Sequence, residues 1–275
     1  MKPRPFAYVR PDSVDEAVAV LAAHGDDARV LAGGQSLLAL LNLRLADPAV
    51  LVDITRIAAL DQICDLGDKI EVGAAVTQNR LLAWPQLAEK LPLLAAALPF
   101  VGHFQTRNKG TVCGSVAHAD PSSEIPLALA VLGGEVVLRS QRGTRVLSAD
   151  AFQKDMLTTT REPDELITAV RFPVNSGRGV AFREVARRHG DFAIVAVAAL
   201  VDGQGAVRLG VGGMAGAPAV RQIAAADGST ARGAVDKMAV ELEGYEDLHA
   251  TAVMRRDLLR RLGPVVIDEA MRCAA

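Results

Sequence analysis

Residues 107–132 read RNKGTVCGSVAHADPSSEIPLALAVL, and this stretch decides how the rest of the chain is arranged. It joins a glycine-bearing turn at 110–115 to an Asp-Pro step at 120–121 and then to an apolar run typical of a helix. A second turn, AGGQSLL at 32–38, repeats the order of strand, turn and apolar segment. Two such turns in one chain indicate a long ligand with two negative charges, bound at more than one point.

The glycines explain how a backbone could reach such a ligand. Gly33 and Gly34 can adopt positive φ and approach a ligand without a Cβ clash, and the N–H groups near Ser36 open a predicted helix that can face a phosphate. Thr111 and Ser115 offer hydroxyl and amide donors for the other side of a pyrophosphate. We interpret the ligand as FAD. A tight strand-to-helix turn is the structural alternative for the glycine pair, and it stays open here.

Three further features of residues 107–132 have both a functional and a structural interpretation. Glu124 could accept hydrogen bonds from the ribose or adenine of a dinucleotide. Asp120-Pro121 is more simply the N-terminal signal of the following helix. Cys113 could be a nucleophile or a covalent flavin link, but its small neighbours and the lack of an adjacent histidine favour a packed small residue.

Other polar and glycine-rich positions are weaker candidates. His103 and His118 could be bases, but neither has a partner motif, which favours structural histidines. Residues 187–191, RRHGD, form either a solvated hairpin tip or a charged segment that presents Phe192 to a flavin ring. Residues 210–216, GVGGMAG, loosely mimic a dinucleotide fingerprint, but the preceding strand belongs to a predicted antiparallel hairpin rather than to a βαβ unit.

Composition excludes several classes of function. The net charge of −2 gives no electrostatic basis for binding nucleic acid or an anionic membrane, and the longest apolar run, 192–201, is too short to span a bilayer. The three cysteines are far apart and form no CxxC pair, so we expect neither a disulfide framework nor a metal or iron–sulfur site on this chain. No secretory signal is visible, and a reducing cytoplasm is the expected setting.

The order of predicted elements divides the chain into three parts. Residues 1–57 and 58–176 each alternate strands and helices, which predicts two α/β subdomains, and the polar segment 175–179 is the best linker. Residues 177–275 change to strands followed by helices, which predicts an α+β domain with a three-stranded antiparallel sheet. The strands predicted there are 180–185, 193–201 and 205–212, and the helices are 218–226, 231–237 and 248–262.

With both turns in view, the chain resembles the FAD-binding medium subunit of the molybdenum hydroxylases, the xanthine dehydrogenase and carbon monoxide dehydrogenase family. The blocks that carry the resemblance are AGGQSLL at 32–38, VGHFQTRNKGTVCGSVAHADPSSEIP at 101–126 and FREVARRHGDFAIV at 182–195. The opening KPRPFAYVRPDSVDEAVAVLAAHG is similar to the start of that family. Two positions depart from the family pattern: Cys113 stands where a glycine is usual, and Glu124 where an aspartate is usual.

The resemblance implies an α+β fold: a vanillyl-alcohol-oxidase (PCMH) type FAD-binding module of two α/β subdomains, plus a C-terminal α+β domain. It also implies that residues 31–37 and 111–115 wrap the pyrophosphate and that Val101 lies near the cofactor. Glu124 would hold the ribose–adenine side and Ile167 the adenine end, while Arg183 and Phe192 would lie beside the isoalloxazine. The residues so placed at the cofactor are Leu31, Ala32, Gly33, Gly34, Gln35, Ser36, Leu37, Val101, Thr111, Val112, Cys113, Gly114, Ser115, Glu124, Ile167, Arg183 and Phe192.

The function implied is electron transfer through non-covalent FAD, with no catalytic side chain and no metal on this chain. A large partner would carry molybdopterin, a small partner would carry two [2Fe-2S] clusters, and the assembly would be a dimer of heterotrimers. The alternative is a self-sufficient FAD-dependent oxidase or reductase that takes hydride directly. Such an enzyme normally needs a base or tyrosines at the flavin, and only Tyr8 and Tyr245 exist, both outside the ligand motifs. A flavin-free scaffold or nucleotide-sensing module with purely structural glycine turns is the non-enzyme alternative.

Overall fold

The computed structural model describes residues 2–175, 178–223 and 228–274. Within these ranges the strands form a three-stranded, a five-stranded and a four-stranded sheet, together with a two-stranded ribbon. Helices and mainly antiparallel sheets share the chain, so the predicted α+β class is confirmed. The predicted divisions at 57 and 176 stay a prediction, and residues 176 and 177 of the predicted linker lie outside the described ranges.

The N-terminal sheet is parallel, with the strand order β1-β3-β2. The predicted capping signal begins its first helix: the Oγ of Ser13 accepts from the N–H of Glu16 at 3.2 Å, and Gly25 ends the helix at φ 50°. Strand β2 leads directly into the first glycine turn. The elements are β1 (Ala7–Val9), α1 (Val14–His24), β2 (Ala28–Leu31), α2 (Leu37–Asn42) and β3 (Val50–Asp53).

The middle sheet is antiparallel throughout, and its strand order β4-β5-β10-β6-β7 puts the late strand β10 at its centre. Seven helices lie between or beside its strands. The elements are β4 (Ile63–Asp65), β5 (Lys69–Gly73), α3 (Gln78–Leu82), α4 (Leu87–Lys90), α5 (Pro92–Ala97), α6 (Phe104–Arg107), α7 (Val112–His118), α8 (Glu124–Leu132), β6 (Glu135–Ser140), β7 (Gly143–Ser148), α9 (Ala149–Phe152), β8 (Gln153–Asp155), β9 (Thr158–Thr159) and β10 (Leu166–Pro173).

The C-terminal sheet has four strands rather than the predicted three, in the order β11-β12-β13-β14. The predicted helix at 218–226 is wrong where it is described, because residues 219–223 pair with β13 as an edge strand. The last helix begins four residues later than predicted and continues to Ala274. The elements are β11 (Val180–Val185), β12 (Val195–Val201), β13 (Val207–Gly212), β14 (Ala219–Ile223), α10 (Gly228–Glu241) and α11 (Ala252–Ala274). Residues 224–226 lie outside the described ranges.

Helix α8 is the centre of the molecule, since all nine of its residues are buried. It packs against β10 of the middle sheet and against β12 and β13 of the C-terminal sheet. A helix that is apolar all round and covered on several sides is a core element. The apolar end of residues 107–132 therefore joins the two larger sheets.

Gly210 and Gly212, in the glycine-rich segment 210–216, serve the packing against α8 and the turn before it. A Cβ on Gly210 would overlap Val131 and lie 3.0 Å from Leu127, both on α8. Strand β13 follows β12 through the predicted hairpin turn, in which Asp202 accepts backbone bonds from residues 204 and 206. The resemblance to a dinucleotide fingerprint is therefore accounted for by close contact between a sheet and a helix. In the described part of the chain, no helix is both long and apolar enough to cross a membrane.

Candidate functional site

A cavity of about 620 Å³ opens where the two glycine segments meet. Its size suits a large small-molecule ligand or cofactor. Fourteen of the seventeen residues expected at the cofactor lie on its wall: Ala32, Gly33, Gly34, Gln35, Ser36, Leu37, Val101, Thr111, Cys113, Gly114, Ser115, Glu124, Ile167 and Phe192. Positions from all three parts of the sequence therefore converge on one cavity.

The two glycine segments touch through their backbones. A Cβ on Gly33 would overlap the carbonyl oxygen of Lys109 and lie 2.7 Å from the Cα of Gly110. Only glycine permits this approach. Segments that are almost eighty residues apart in sequence thus form adjacent parts of the same wall.

The first segment offers a row of free donors. Gly34 has φ 71°, and the backbone N–H groups of Gly33, Gly34, Gln35 and Ser36 donate to no acceptor among the described residues. Successive backbone N–H groups at a glycine turn form an anion-binding concavity, and leaving them unpaired in a cavity is costly. The turn is also the strand-to-helix connection between β2 and α2 that the structural alternative predicted.

The second segment is the start of a helix rather than the turn predicted at 110–115. Thr111 is the N-cap of α7, and its Oγ1 accepts from the N–H of Gly114 at 3.0 Å. Two backbone hydrogen bonds anchor this segment to the residues between β5 and α3. The N–H of Val112 donates to the carbonyl of Val76 at 3.1 Å, and the N–H of Gln78 donates to the carbonyl of Gly110 at 2.8 Å. Capping uses the N–H of Gly114, so that group is not available to a ligand.

Cys113 is a packed residue, as expected from its neighbours. Its Sγ donates to the carbonyl of Val72 on β5, and burial raises the pKa of the thiol well above its usual range. A neutral thiol that is bonded to the sheet is unsuited to act as a nucleophile or a covalent flavin link. The side chain of Cys113 reaches toward β5, which accommodates it at the position where the resemblance implied glycine.

Glu124 is the first residue of α8, only 3% exposed, and lies on the cavity wall. Burial, with a contribution from the charge of Asp120, raises the pKa of Glu124 to about 7. The expected helix start at Asp120-Pro121 is wrong by three residues. Asp120 instead forms a turn by accepting from the N–H of Ser122 at 2.8 Å, and Ser123 is the N-cap.

Three expected cofactor residues do not line the cavity. Leu31 lies on β2, and Val112 is wholly buried in the core. Arg183 forms an exposed ion pair with Glu269 of α11 at 2.5 Å. Successive side chains of a strand point to opposite faces of the sheet. On β11, Arg183 lies on the face toward α11, and Phe182 and Glu184 lie on the opposite face. The expectation that Arg183 lies beside an isoalloxazine is not supported by this placement.

Sequence reasoning missed a positive region of the cavity. Arg29 and Arg161 both lie on its wall, and burial together with the charge of Arg29 lowers the pKa of Arg161. Arg161 donates to the carbonyls of Glu162 and Glu165 at 2.9 and 2.8 Å, which fixes its position. Nothing in the spacing of the sequence separates these two from the other arginines.

The histidines have different environments. His118 is on the cavity wall, and burial lowers the pKa of its imidazole against the opposing charge of Asp120. His103 packs edge-on against His189, with 6.0 Å between ring centroids, beside Gly190 at the cavity. Among the described residues, no group of three His, Cys, Asp or Glu side chains is arranged to hold a metal ion.

The cavity fits FAD on its own chemistry. FAD is long and carries two phosphate charges, and this cavity combines four free backbone N–H groups, two arginines, an apolar wall and the exposed ring of Phe192. A glycine turn by itself would supply only the free backbone N–H groups.

Residues 4–175 match the family described as the FAD binding domain in molybdopterin dehydrogenase. The chain is similar to caffeine dehydrogenase subunit beta of Pseudomonas sp. (strain CBB1), with 42% identity over 203 residues, 73% of this chain and 69% of that protein. It is 34% identical to the nicotine 6-hydroxylase medium subunit of Paenarthrobacter nicotinovorans over 98% of this chain and 99% of that one.

A solved structure agrees along the full length. The chain superimposes with a TM-score of 0.94 and 31% identity on a chain of the carbon monoxide dehydrogenase from Hydrogenophaga pseudoflava that lacks the Mo-pyranopterin moiety of its molybdenum cofactor, covering 100% of both. The family match, the relatives and the cavity agree with one another. This chain is thus a member of the family of FAD-binding medium subunits of molybdenum-containing dehydrogenases.

Proposed function

We propose that this chain is the electron-transfer subunit of a heteromeric molybdenum hydroxylase, receiving electrons from iron–sulfur clusters of a partner and passing them to an external acceptor. The observation that supports this most strongly is the single cavity bounded by two glycine segments in backbone contact. FAD supplies the chemistry when bound, since it can accept electrons singly and release them in pairs. The chain's own contribution is binding, orientation and local charge.

The binding roles follow from the wall of the cavity. The free N–H groups of residues 33–36 would hold the diphosphate, and Arg29 and Arg161 would offset its charge. Glu124 would face the ribose and adenine side, and Ile167 the adenine end. Phe192, half exposed at the cavity, would pack against the ring system.

The remaining redox centres would lie on partners. We assign molybdopterin to a large subunit and two [2Fe-2S] clusters to a small one, in a dimer of heterotrimers. Family membership supports this, as does the separation of the three free thiols: Cys113 is buried, while Cys64 and Cys273 are exposed elsewhere. Three unpaired cysteines also favour a reducing cytoplasmic location.

A self-sufficient oxidase or reductase is the second candidate. The observation in its favour is His118, whose imidazole lies on the cavity wall, has a pKa lowered by burial and could take a proton from a substrate. Against it, neither Tyr8 nor Tyr245 lies on that wall. The two candidates differ in what the chain can do without partners.

The isolated chain tests both candidates. We expect the purified chain to bind one FAD, to be yellow, and to oxidise no organic substrate, because no substrate-activating centre would be present. Absorbance spectroscopy measures the bound flavin, and a stopped assay with N-heterocyclic and aldehyde substrates measures substrate oxidation. Turnover by the isolated chain would establish the second candidate instead, and His118→Asn would then abolish it. A colourless chain that ignores added flavin would refute both.

A further inference from the structure

One buried arginine bonds to two backbone segments that lead to the cavity wall, although it does not line the cavity itself. Arg255 of α11 is 1% exposed and is not among the lining residues. Its Nη1 donates to the carbonyl of Ile194 and, at 2.8 Å, to the carbonyl of Gly213. A buried guanidinium is costly unless its donors are satisfied, and here one nitrogen joins two distant segments of the chain.

The first of these segments leads back to Phe192. Residues 190–192 lie on the cavity wall, and Ile194 follows two positions later. The N–H of Ile194 donates to the carbonyl of Val185 at 2.8 Å, while its carbonyl accepts from Arg255. The arginine therefore fixes the end of the segment that presents Phe192 to the cavity.

The second segment leads to the start of α8. Gly213 accepts from Arg255 at its carbonyl, and its N–H donates to the carbonyl of Pro121 at 2.9 Å. Ser123 and Glu124 follow Pro121 closely and lie on the cavity wall. A single residue at the end of β13 thus connects the guanidinium to the loop that carries both side chains.

The backbones of the two segments meet where Arg255 bonds to both. Gly213 has φ 78°, and a Cβ there would lie 2.3 Å from the carbonyl oxygen of Ile194. Only glycine combines a positive φ with such a close approach of two backbones. This accounts for a glycine at position 213 of the glycine-rich segment 210–216.

Tyr245 completes the junction from the segment that precedes α11. Its carbonyl accepts from the Nε of Arg255 at 3.1 Å, and the centre of its ring lies 4.1 Å from the guanidinium carbon. Its hydroxyl is 3.4 Å from the Oγ of Ser122, which lies in the same loop as Pro121. Asp247 pairs with Nη2 at 2.6 Å, so a residue outside the cavity wall balances the charge of the arginine.

We propose that Arg255 is the positioning residue that holds residues 190–192 and residues 123–124 in the arrangement that binds FAD. This rests on the proposed FAD site. The arginine need not touch the ligand, because it acts by keeping two backbone carbonyls at one place. Loss of the bridge therefore releases two parts of the wall together.

FAD binding by Arg255→Lys tests the proposal. Lysine keeps the charge, but it is shorter and lacks the planar fork, so it cannot make all of these bonds. We expect the Kd for FAD to rise at least about tenfold, at a temperature at which circular dichroism shows the variant folded. A Kd within about threefold of the natural chain would refute the proposal.

Arg260→Lys is the matched control. Arg260 lies on the same helix and pairs with Asp236 and Asp257, neither of which lines the cavity. The same chemical change should therefore leave the Kd for FAD unaltered. An equal loss of affinity in this variant would mean that any weakened ion pair on α11 disturbs the site, and it would overturn the special role of Arg255.

Sucrose separates positioning from stability. It favours the folded state of any variant, so a binding loss caused only by partial unfolding should disappear in its presence. We expect the loss in Arg255→Lys to persist in sucrose. Recovery of the natural Kd would assign the arginine a purely structural role and would contradict the proposal.

Hydrogen exchange of the flavin-free chain gives a readout that needs no ligand. Arg255→Lys should speed exchange in residues 119–124 and in residues 190–194 together, and it should leave β10 unchanged. Faster exchange in only one of the two segments, or in neither, would refute the bridge. If the natural chain binds no FAD, the proposed function fails, and exchange still decides whether one arginine holds both segments.

The natural chain supplies the test if Arg255→Lys does not fold. Neither Ile194 nor Gly213 lines the cavity, but both are joined to its wall through the junction. Added FAD should therefore slow exchange at both of their amides. Unchanged exchange at these amides in the FAD-bound chain would refute the proposal.

Discussion

We expect Gly33→Ala to weaken FAD binding by the purified chain more than any other single change in the two glycine segments. The added Cβ would overlap the carbonyl oxygen of Lys109 and lie 2.7 Å from the Cα of Gly110. Both are backbone atoms, so one glycine segment must move away from the other. We expect the Kd for FAD, measured by quenching of flavin fluorescence, to rise at least about 100-fold, equivalent to about 2.7 kcal/mol.

The matched control for this change is Gly203→Ala. Residue 203 lies in the hairpin turn after β12, no atom lies within 4 Å of a Cβ placed there, and its φ is not positive. The same chemical change should therefore leave the Kd unaltered. If Gly33→Ala bound FAD within about threefold of the natural chain, the contact between the two segments would not be what makes the site.

Arg255→Ala should produce the largest loss of stability. Arg255 is 1% exposed, and its guanidinium donates to the carbonyls of Ile194, Gly213 and Tyr245 as well as to Asp247 at 2.6 Å. Removing it leaves several acceptors without donors in the core between α11 and the C-terminal sheet. Loss of one partner from such a buried charged network costs about 3–5 kcal/mol in the free energy of unfolding.

Urea unfolding followed by circular dichroism measures this loss. Arg261→Ala is the control, because Arg261 lies on the same helix and is exposed. We expect the control to change the free energy of unfolding by no more than about 0.5 kcal/mol. A loss below about 1 kcal/mol for Arg255→Ala would mean that the network does not hold α11 to the sheet.

Capping and stop residues in the sequence predicted the helices whose ends depend only on residues within one turn. The cap at Ser13 and the stop at Gly25 gave α1 correctly, since both act within one helical turn. Residues 219–223 were predicted as helix because their strand pairing depends on β13, which no local pattern reveals. The fourth strand of the C-terminal sheet could therefore be identified only from the structure.

The glycine turns and the family resemblance predicted most of the residues that line the cavity. What neither gave is the contact of Gly33 with Gly110, because distance along the chain says nothing about which loops meet. Arg161 was missed for the same reason. Arg183 was expected at the cofactor, but the alternation of β11 places it on the face toward α11, where it pairs with Glu269.

The most direct test of the central claim is an experimental structure of the chain with FAD bound. The account predicts that one diphosphate lies within hydrogen-bond distance of the N–H groups of residues 33–36 and also touches the segment that begins at Thr111. A diphosphate that contacts only one of these segments, or a flavin bound outside the cavity between them, would contradict it.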